Sequence, residues 1–413
     1  MLLRDTLKAA LQAQDLPHVQ PPEVPRELVA ALSLRPERAT VLTGVRRSGK
    51  STLQAQLVQE SADGAFYCNF EDTRLFGFGP SDFSTFLDLL DELSPAPQPV
   101  FLDEVQEVDA WQRLVRGLVD RHRAVCVTGS NASLLGRELG SKLTGRHVSF
   151  EVFPFNYREY CGFTGQKPGA ASLRGYMDAG GFPVFLRERH DVVLQELLRD
   201  VVQRDVAARH RLRDVRHVMS VLLFLLANPG QPLSFHRLTK TLGVPTVSQT
   251  SRYVSYLEDA YLLFSVPKFS PSFRQRVVAP AKYYAIDSGL RRANSPQPGP
   301  DHGRQLENVV AMHLRRMTAS APVSRRTSDG AAFSYAGERD RWECDFVTPD
   351  EAIQVCFELT AANRLRELRG LVEAARLPGG RRRLRVLTFD QTDRVREGGL
   401  DIQVIPAWRW MLQ

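Results

Sequence analysis

The sequence contains few cysteines, and their spacing fits neither a metal site nor a disulfide framework. Five cysteines occur in 413 residues, an odd number, and none of them forms a Cys-x-x-Cys pair. Zinc sites and disulfide-rich folds need regular cysteine spacing. We therefore expect buried thiols in a reducing compartment at Cys68, Cys126, Cys161, Cys344 and Cys356.

Long hydrophobic segments are also missing. The longest apolar run lies near residues 218–227 and is shorter than the roughly 20 apolar residues that span a bilayer as a helix. The N-terminus mixes Arg4 and Asp5 with its apolar residues, which is not typical of a secretory signal. We therefore expect a soluble, cytoplasmic protein that does not enter a membrane.

Lysine is scarce, since only seven of the 54 basic residues are lysine. A preference for arginine can follow from genome composition and does not by itself indicate a nucleic-acid partner. The distribution of charge is more informative. Residues 199–300 carry 15 basic and six acidic residues, a net charge of +9, against −4 for residues 1–198 and +2 for residues 301–413. This local excess is typical of a polyanion-binding surface, although a solvated basic face without a partner would also account for it.

A glycine-rich segment has the spacing of a phosphate-binding loop. An apolar run at residues 41–43 leads into Gly44, and four residues later Gly49-Lys50-Ser51 opens a stretch without proline or glycine. Strand, loop and helix in this order are the context of the Walker A motif, whose backbone N–H groups surround phosphates. The predicted ATP-binding residues are Gly44, Arg46, Arg47, Ser48, Gly49, Lys50, Ser51 and Thr52.

Two carboxylates end a second apolar run, about fifty residues beyond the loop. Asp103 and Glu104 follow Val-Phe-Leu at residues 100–102, which is the position of a Walker B motif. Asp103 and the Ser51 hydroxyl would hold Mg²⁺, and Lys50 would contact the β- and γ-phosphates. Glu104 would polarise the attacking water. Without the upstream loop, the same carboxylates would be interpreted as a solvated turn.

Three further residues are candidates for the same site. A third apolar run, at residues 124–128, is followed by Ser130 and Asn131, which could sense the γ-phosphate or simply cap the next helix. Arg146 precedes another alternating segment. It could complete the site in cis or reach a neighbour's γ-phosphate in trans, and an ordinary surface arginine is equally consistent with the sequence.

In this order, the motifs resemble the bacterial and archaeal branch of AAA-type ATPases. The matching segments are residues 44–52, 102–106, Trp111, 128–130, 145–146, 153–155 and 180–183. The resemblance implies an α/β fold with a P-loop NTPase core of AAA type built on a parallel sheet. A helical and winged-helix domain and a C-terminal α/β restriction-endonuclease-like domain would follow. We expect these domains at residues 1–190, 191–295 and 296–413. The resemblance also implies ATP and Mg²⁺ as cofactors and a homo-oligomer, in the form of a ring in some such ATPases.

The basic middle region has a helix-turn-helix layout. Residues 234–242 and 247–260 are predicted helices around a Gly-Val-Pro turn, and residues 261–266 and 283–286 could form the hairpin of a winged helix. Such a module can bind DNA or serve as a packing or oligomer module. The charge excess favours DNA, with phosphate contacts predicted from Arg237, Lys240, Arg252, Arg274, Arg276 and Lys282.

The last region resembles a PD-(D/E)xK nuclease-like domain. Glu307, Asp345 and Gln354 match the acidic and polar positions of that motif, but Cys356 stands where the motif has lysine. A thiol cannot replace the cation that assists an attacking water, so the resemblance implies a domain without nuclease activity that contacts nucleic acid or subunits. The arginines at residues 381–383 are most simply interpreted as a solvated loop.

The sequence thus predicts a Mg²⁺-dependent ATPase that binds and remodels DNA. Two other function classes stay open. One is a nucleotide-dependent switch with slow turnover, and the other is an ATP-regulated nuclease.

Overall fold

The computed structural model describes residues 2–14, 24–61, 64–94, 98–129, 145–295, 301–319, 333–338 and 341–413. The chain divides into two compact units, Met1–Phe153 and Pro154–Gln413. This division differs from the predicted first boundary at residue 190. Residues 154–190 belong to the second unit because their elements pack there, as the hydrogen bond from the Gly181 amide to Asp287 illustrates.

The first unit alternates strands and helices. Its strands are β1 (Ala39–Thr43), β2 (Phe66–Asn69), β3 (Val100–Asp103), β4 (Val125–Thr128) and β5 (His147–Glu151). Its helices are α1 (Arg4–Gln12), α2 (Lys50–Gln59), α3 (Phe83–Leu93) and α4 (Trp111–Asp120), with short 3₁₀ turns at Glu27–Ala31, Thr73–Leu75, Pro80–Asp82 and Val105–Glu107.

The five strands form one parallel sheet in the order β2-β3-β4-β1-β5. Successive side chains of a strand point to opposite faces, so the sheet has two cores. Val41 and Leu102 pack with the apolar faces of α1, α3 and α4, whereas Leu42 and Phe101 pack against Leu53 of α2. All-parallel sheets are covered on both faces in this way. The predicted parallel α/β core is confirmed, and its strands all end at the edge from which the phosphate-binding loop leaves β1.

The second unit begins with helices. They are α5 (Tyr157–Thr164), α6 (Ala170–Ala179), α7 (Pro183–Glu188), α8 (Asp191–Asp200), a π-helix (Val201–Ala208), α9 (Arg216–Ala227), α10 (Phe235–Leu242) and α11 (Val247–Asp259). An antiparallel pair follows, β6 (Leu263–Val266) and β7 (Lys282–Ala285), with α12 (Phe273–Val278) between them. Helices α10 and α11 have the predicted helix-turn-helix order, with Gly243 in the left-handed conformation at the turn. Val254, Leu257 and Ala260 are buried.

The remainder of the second unit is an α/β domain. Helix α13 (Ser288–Asn294) packs against α6 and α8, and the helices of the α/β domain are α14 (His302–Ala319), α15 (Arg364–Ala375) and α16 (Ala407–Trp410). Its strands are β8 (Ser334–Glu338), β9 (Trp342–Val347), β10 (Glu351–Val355), β11 (Arg383–Thr388), β12 (Asp393–Glu397) and β13 (Leu400–Pro406). They form a mixed sheet in the order β12-β13-β11-β10-β9-β8, whose core packs against Leu368 and Leu371 of α15.

Among the helices of the described residues, none combines the length and the apolar character needed to cross a membrane.

Candidate functional site

The phosphate-binding loop leaves the sheet at Thr43 and ends where α2 begins at Lys50. Gly44 has a φ angle of 142°, and a Cβ atom at this position would lie 2.2 Å from the carbonyl oxygen of Val152. Only glycine fits such a close approach of two backbone segments. This close approach to Val152 explains why the first position of the motif is glycine.

The Lys50 ammonium is held inside the loop. Its Nζ atom donates to the carbonyl oxygens of Gly44 at 3.0 Å and Val45 at 3.1 Å, and the side chain is buried. A buried ammonium needs such oxygen partners, because transferring its charge from water is otherwise costly. The lysine thus points to the concave side of the loop, where a phosphate would lie.

The other loop residues differ in exposure. Ser51 and Thr52 are exposed on the first turn of α2, Arg47 is exposed with a positive φ angle of 61°, and Arg46 is half-buried. Ser48 is completely buried, and its hydroxyl has no hydrogen-bond partner among the described residues. The loop therefore exposes Arg47, Ser51 and Thr52 at the N-terminus of α2 and encloses Ser48.

Arg26 supports the loop and was not predicted. Its guanidinium donates to the carbonyl oxygens of Ser48 at 3.0 Å and Phe153 at 2.7 Å, and its amide donates to Gln56 of α2 at 3.0 Å. Nothing in the local sequence distinguishes this arginine, because its partners lie 22 to 127 residues further along the chain.

Asp103 is the centre of a hydrogen-bonded group at the ends of three strands. Its Oδ1 atom accepts from the Glu104 amide at 3.1 Å and from the Thr128 hydroxyl, and its Oδ2 atom accepts from the Tyr67 hydroxyl at 3.0 Å. Burial and the neighbouring Asp103 carboxylate raise the pKa of Tyr67, so the phenol stays protonated and donates. Tyr67 on β2 was not predicted to belong to the site.

Glu104 follows Asp103 in a left-handed backbone conformation, with φ 51° and ψ 47°. Non-glycine residues adopt this conformation at a cost, and it recurs at functional sites. Burial raises the pKa of the Glu104 carboxyl, and the neighbouring Asp103 charge raises it further. The hydrogen bond from Gln106 and the charge of Lys50 lower this pKa and so oppose the shift. The structure thus brings Lys50 and both predicted carboxylates to one edge of the sheet.

The remaining predictions for this site have different outcomes. Ser130 and Asn131 lie outside the described residues. Arg146 is exposed, pairs with Asp120, and accepts a hydrogen bond on its carbonyl from Ala39 at the start of β1. The loop leaves the opposite end of β1, about 13 Å away along the strand. The structure therefore does not bring Arg146 to its own loop, and this position contradicts a role in cis.

The residues present fit a nucleotide better than they fit a metal alone. The glycine cradle, the Lys50 ammonium and the orphaned Ser48 hydroxyl are suited to phosphate oxygens. No group of three or more His, Cys, Asp or Glu side chains in the described ranges could hold a metal ion. A Mg²⁺ ion at this site would need Ser51, Asp103, water and the phosphates of the nucleotide as ligands.

The predicted DNA contacts lie in the second unit. Arg237 and Lys240 are exposed on α10, Arg252 is exposed on α11, Arg274 is exposed on α12, and Arg276 of the same helix is half-buried. These last two arginines thus lie on a helix between β6 and β7 rather than in a tight hairpin turn.

The prediction that Lys282 contacts DNA is wrong. Its side chain is only 1% exposed, and its Nζ atom lies 2.6 Å from Glu343, 3.3 Å from Glu307 and 3.3 Å from Asp345. Burial alone would lower the pKa of Lys282, but Tyr284 and these three carboxylates together raise it well above its ordinary value. Lys282 is therefore an internal cation, and a phosphate cannot reach it.

This cation lies among the nuclease-like residues. Glu307 on α14 also accepts from the Tyr284 hydroxyl at 2.7 Å, and Asp345 on β9 accepts from the Val355 amide at 2.9 Å. Gln354 on β10 accepts a hydrogen bond from the Asp345 amide and donates one to the Glu367 carboxylate at 2.8 Å. The positive charge that Cys356 cannot supply is thus supplied by Lys282 of β7.

The nuclease-like residues do not fit a metal ion as they stand. The Lys282 ammonium contacts all three carboxylates, and Gln354 is bonded to Glu367. Burial and the Glu307 charge raise the pKa of Asp345, while Lys282 opposes the shift. The carboxylates are therefore engaged in an ion cluster, and no catalytic step is assigned to them.

Comparisons with known proteins agree with the architecture of the first unit. A family model described as an AAA domain matches residues 36–161, and a model described as a domain of unknown function, DUF8612, matches residues 170–300. An uncharacterized protein of Methanocaldococcus jannaschii is 28% identical over 409 residues, covering 92% of this chain and 90% of the relative. An uncharacterized protein of Haemophilus influenzae is 31% identical over 344 residues, covering 77% of this chain and 82% of the relative.

A solved structure of C. elegans PCH-2 aligns with 17% identity and a TM-score of 0.23, covering 42% of this chain and 44% of that one. A TM-score this low does not establish a shared fold. The identity and coverage of the Haemophilus influenzae relative are sufficient to assign a family. The chain therefore belongs to the same protein family as this relative, with an AAA-type P-loop domain at residues 36–161.

Proposed function

We propose that the chain is a Mg²⁺-dependent ATPase that couples nucleotide hydrolysis to DNA binding or remodelling. One observation carries the ATPase part of this proposal. Lys50 comes from one segment of the chain and Asp103 and Glu104 from another, and the two segments converge at the sheet edge from which the loop departs. A phosphate clamp, a metal-binding carboxylate and a base at one edge are the parts that phosphoryl transfer to water requires.

Each residue then has a distinct role. Lys50 exchanges the carbonyl oxygens of Gly44 and Val45 for phosphate oxygens. Ser51 and Asp103 would hold a Mg²⁺–nucleotide complex, Asp103 through water, and the ion would supply positive charge to the phosphates. Glu104 accepts a proton from the attacking water, and its raised pKa brings it closer to that of an efficient base at neutral pH.

We also propose that the active form is a homo-oligomer, in which a ring is one arrangement. Arg146 is exposed and lies beside the end of β1 opposite its own loop, so a catalytic role for it would be at the site of a neighbouring subunit. Particle mass measured with and without ATP tests this proposal, which a monomer under both conditions would contradict.

The DNA part of the proposal rests on the second unit. Arg237, Lys240, Arg252 and Arg274 are exposed, and the segment that contains them carries a net charge of +9. The helix-turn-helix order of α10 and α11 places Arg252 on the helix that enters a groove in such modules. Lys282 does not belong to this surface, because its side chain is buried inside the fold.

Replacing both Arg252 and Arg274 by alanine is expected to weaken DNA binding and to lower its salt dependence by about one unit of slope for each phosphate that the variant no longer binds. Fluorescence anisotropy across a salt series measures both quantities. The double variant Arg364→Ala with Arg369→Ala is a control, because these exposed arginines lie on α15 outside the basic segment. Equal affinities of wild type and the Arg252/Arg274 variant at every salt concentration would exclude a DNA role for this surface.

A nucleotide-dependent switch with slow turnover is the second candidate. It is favoured by the Gln106 side chain, which donates to the Glu104 carboxylate and would compete with the attacking water. DNA distinguishes the two functions, because a DNA-driven motor would hydrolyse ATP several-fold faster on binding DNA, whereas a switch need not. An ATP-regulated nuclease is not proposed, because Lys282 engages the carboxylates that such an enzyme would need.

A further inference from the structure

We propose that a cavity in the C-terminal α/β domain is a binding site for a phosphate-bearing ligand. The cavity has a volume of about 450 Å³ and lies where β11, β12 and β13 meet the end of α15. This volume falls within the range of about 300–1,000 Å³ that is usual for small-molecule sites. The proposed site is separate from both the phosphate-binding loop and the Lys282 cluster.

The charge of the cavity wall indicates the ligand class. Four arginines line the cavity, Arg381, Arg382, Arg383 and Arg394, against a single acidic residue, Asp401. The exposed guanidinium groups of Arg381 and Arg394 have no ion-pair or hydrogen-bond partner within the described part of the chain. A concave surface with this excess of positive charge concentrates anions.

Arg382 is a buried and hydrogen-bonded part of the cavity wall, so the cavity is not lined by surface side chains alone. It is 8% exposed, and its guanidinium donates to the carbonyl oxygens of Thr348 at 2.9 Å, Leu377 at 3.1 Å and Pro378 at 2.9 Å. None of these partners is charged, and burial lowers the pKa of Arg382. A buried cation that has dipoles but no carboxylate around it is stabilised when an anion binds nearby.

The turn that precedes β11 is shaped around this guanidinium. Gly379 has a φ angle of 119°, and a Cβ atom there would lie 2.5 Å from an Nη atom of Arg382. Glycine therefore lets the turn close over the buried charge. With Arg382 fixed in this way, its two sequence neighbours Arg381 and Arg383 are directed to the cavity wall. The simple interpretation of residues 381–383 as a solvated loop is accordingly replaced.

Phosphate is the anion that matches these side chains. Arginine binds phosphate oxygens through paired, charge-assisted hydrogen bonds, and it loses less freedom in doing so than lysine. Arg383 also pairs with Glu351 at 2.8 Å, so Arg381 and Arg394 are the two residues best able to contact a ligand. Two sources of phosphate have this chemistry, a small phosphorylated molecule of nucleotide size and the backbone of DNA.

The test uses the full-length chain with Lys50→Ala, Arg252→Ala and Arg274→Ala, so that binding at the phosphate-binding loop is removed and binding at the proposed DNA surface is weakened. Inorganic pyrophosphate, ADP and a short DNA duplex are titrated separately by calorimetry. Arg381→Ala combined with Arg394→Ala is expected to weaken binding of at least one probe by about tenfold or more, because the variant lacks two guanidinium groups that would form charge-assisted hydrogen bonds. The matched control, Arg369→Ala with Arg396→Ala, removes two exposed arginines of the same domain that do not line the cavity.

Each outcome either supports the proposed phosphate site or contradicts it. A loss of affinity confined to pyrophosphate or ADP identifies a small phosphorylated molecule, and a loss confined to the duplex identifies the nucleic-acid backbone. Both losses support a phosphate site. The proposal is wrong if no probe binds more weakly to the cavity variant, or if the control variant shows the same loss. Because the substituted arginines are exposed, the variants should unfold at the wild-type temperature. ATP hydrolysis, measured on the chain with Lys50 intact, tests the proposed ATPase function separately from the cavity.

Discussion

Glu104→Gln is expected to lower the rate of ATP hydrolysis by about 100- to 10,000-fold and to leave nucleotide binding almost unchanged. Glutamine has the shape of the carboxylate but cannot accept a proton from water. Lys50→Ala should have the opposite signature, because it removes the ammonium that would bind the phosphates and so weakens binding itself. Phosphate release and nucleotide affinity, measured on the same preparations, separate the two effects.

Glu107→Gln is the matched control for this prediction. Glu107 lies three residues further on, in the 3₁₀ turn that follows Glu104, and is exposed, so the same chemical change there should not alter hydrolysis. Hydrolysis by the Glu104 variant at the wild-type rate would show that another group activates the water.

The pH dependence of hydrolysis follows from the same carboxylate. Burial raises the pKa of Glu104 in the folded protein, and a base acts only when it is deprotonated. The rate should therefore fall as the pH is lowered, and the fall should begin above the range in which an ordinary glutamate takes up a proton.

The local sequence was sufficient to predict the parts of the site that lie next to their own strand. Apolar runs at residues 41–43 and 100–102 predicted buried strands, and the glycines, Lys50, Asp103 and Glu104 follow these strands directly. In a parallel sheet the carboxyl ends of strands share one edge, so adjacency in sequence becomes adjacency in space.

Residues that join the site from elsewhere could not be predicted in this way. Arg26 and Tyr67 act through hydrogen bonds to residues 22 to 127 positions away, and neither has a distinctive local pattern. The position of Arg146 at the opposite end of the sheet depends on the direction of β5 relative to β1. Strand order and direction are set by the tertiary fold and are not encoded in a five-residue segment.

Lys282 shows why net charge alone is a weak guide to a binding surface. It lies in the most basic segment of the chain, but its three carboxylate partners follow 25 to 63 residues later, in elements of the C-terminal domain. A count of charges over residues 199–300 excludes these partners. Once they are included, the lysine is neutralised inside the fold and contributes nothing to the basic surface.

Lys282→Met is expected to reduce the free energy of unfolding of the second unit by about 3–5 kcal/mol. The substitution keeps most of the side-chain volume, and it leaves the buried Asp345 and the half-buried Glu307 without their cation. Lys240→Met is the matched control, because Lys240 is exposed and should change stability by less than about 0.5 kcal/mol. Urea unfolding followed by tryptophan fluorescence measures the difference, since Trp342, Trp408 and Trp410 all lie in the second unit.

A second substitution shows whether the loss of stability is electrostatic. Adding Asp345→Asn to Lys282→Met removes one of the carboxyl groups that lost its cation and should restore part of the stability. Without Lys282, the buried Asp345 must either stay charged or take up a proton, and either state costs free energy. A mere loss of packing would leave the double variant at least as unstable as the single one. If Lys282→Met alone unfolds at the wild-type urea concentration, the cluster does not stabilise the fold, and Lys282 would have to be available for another role.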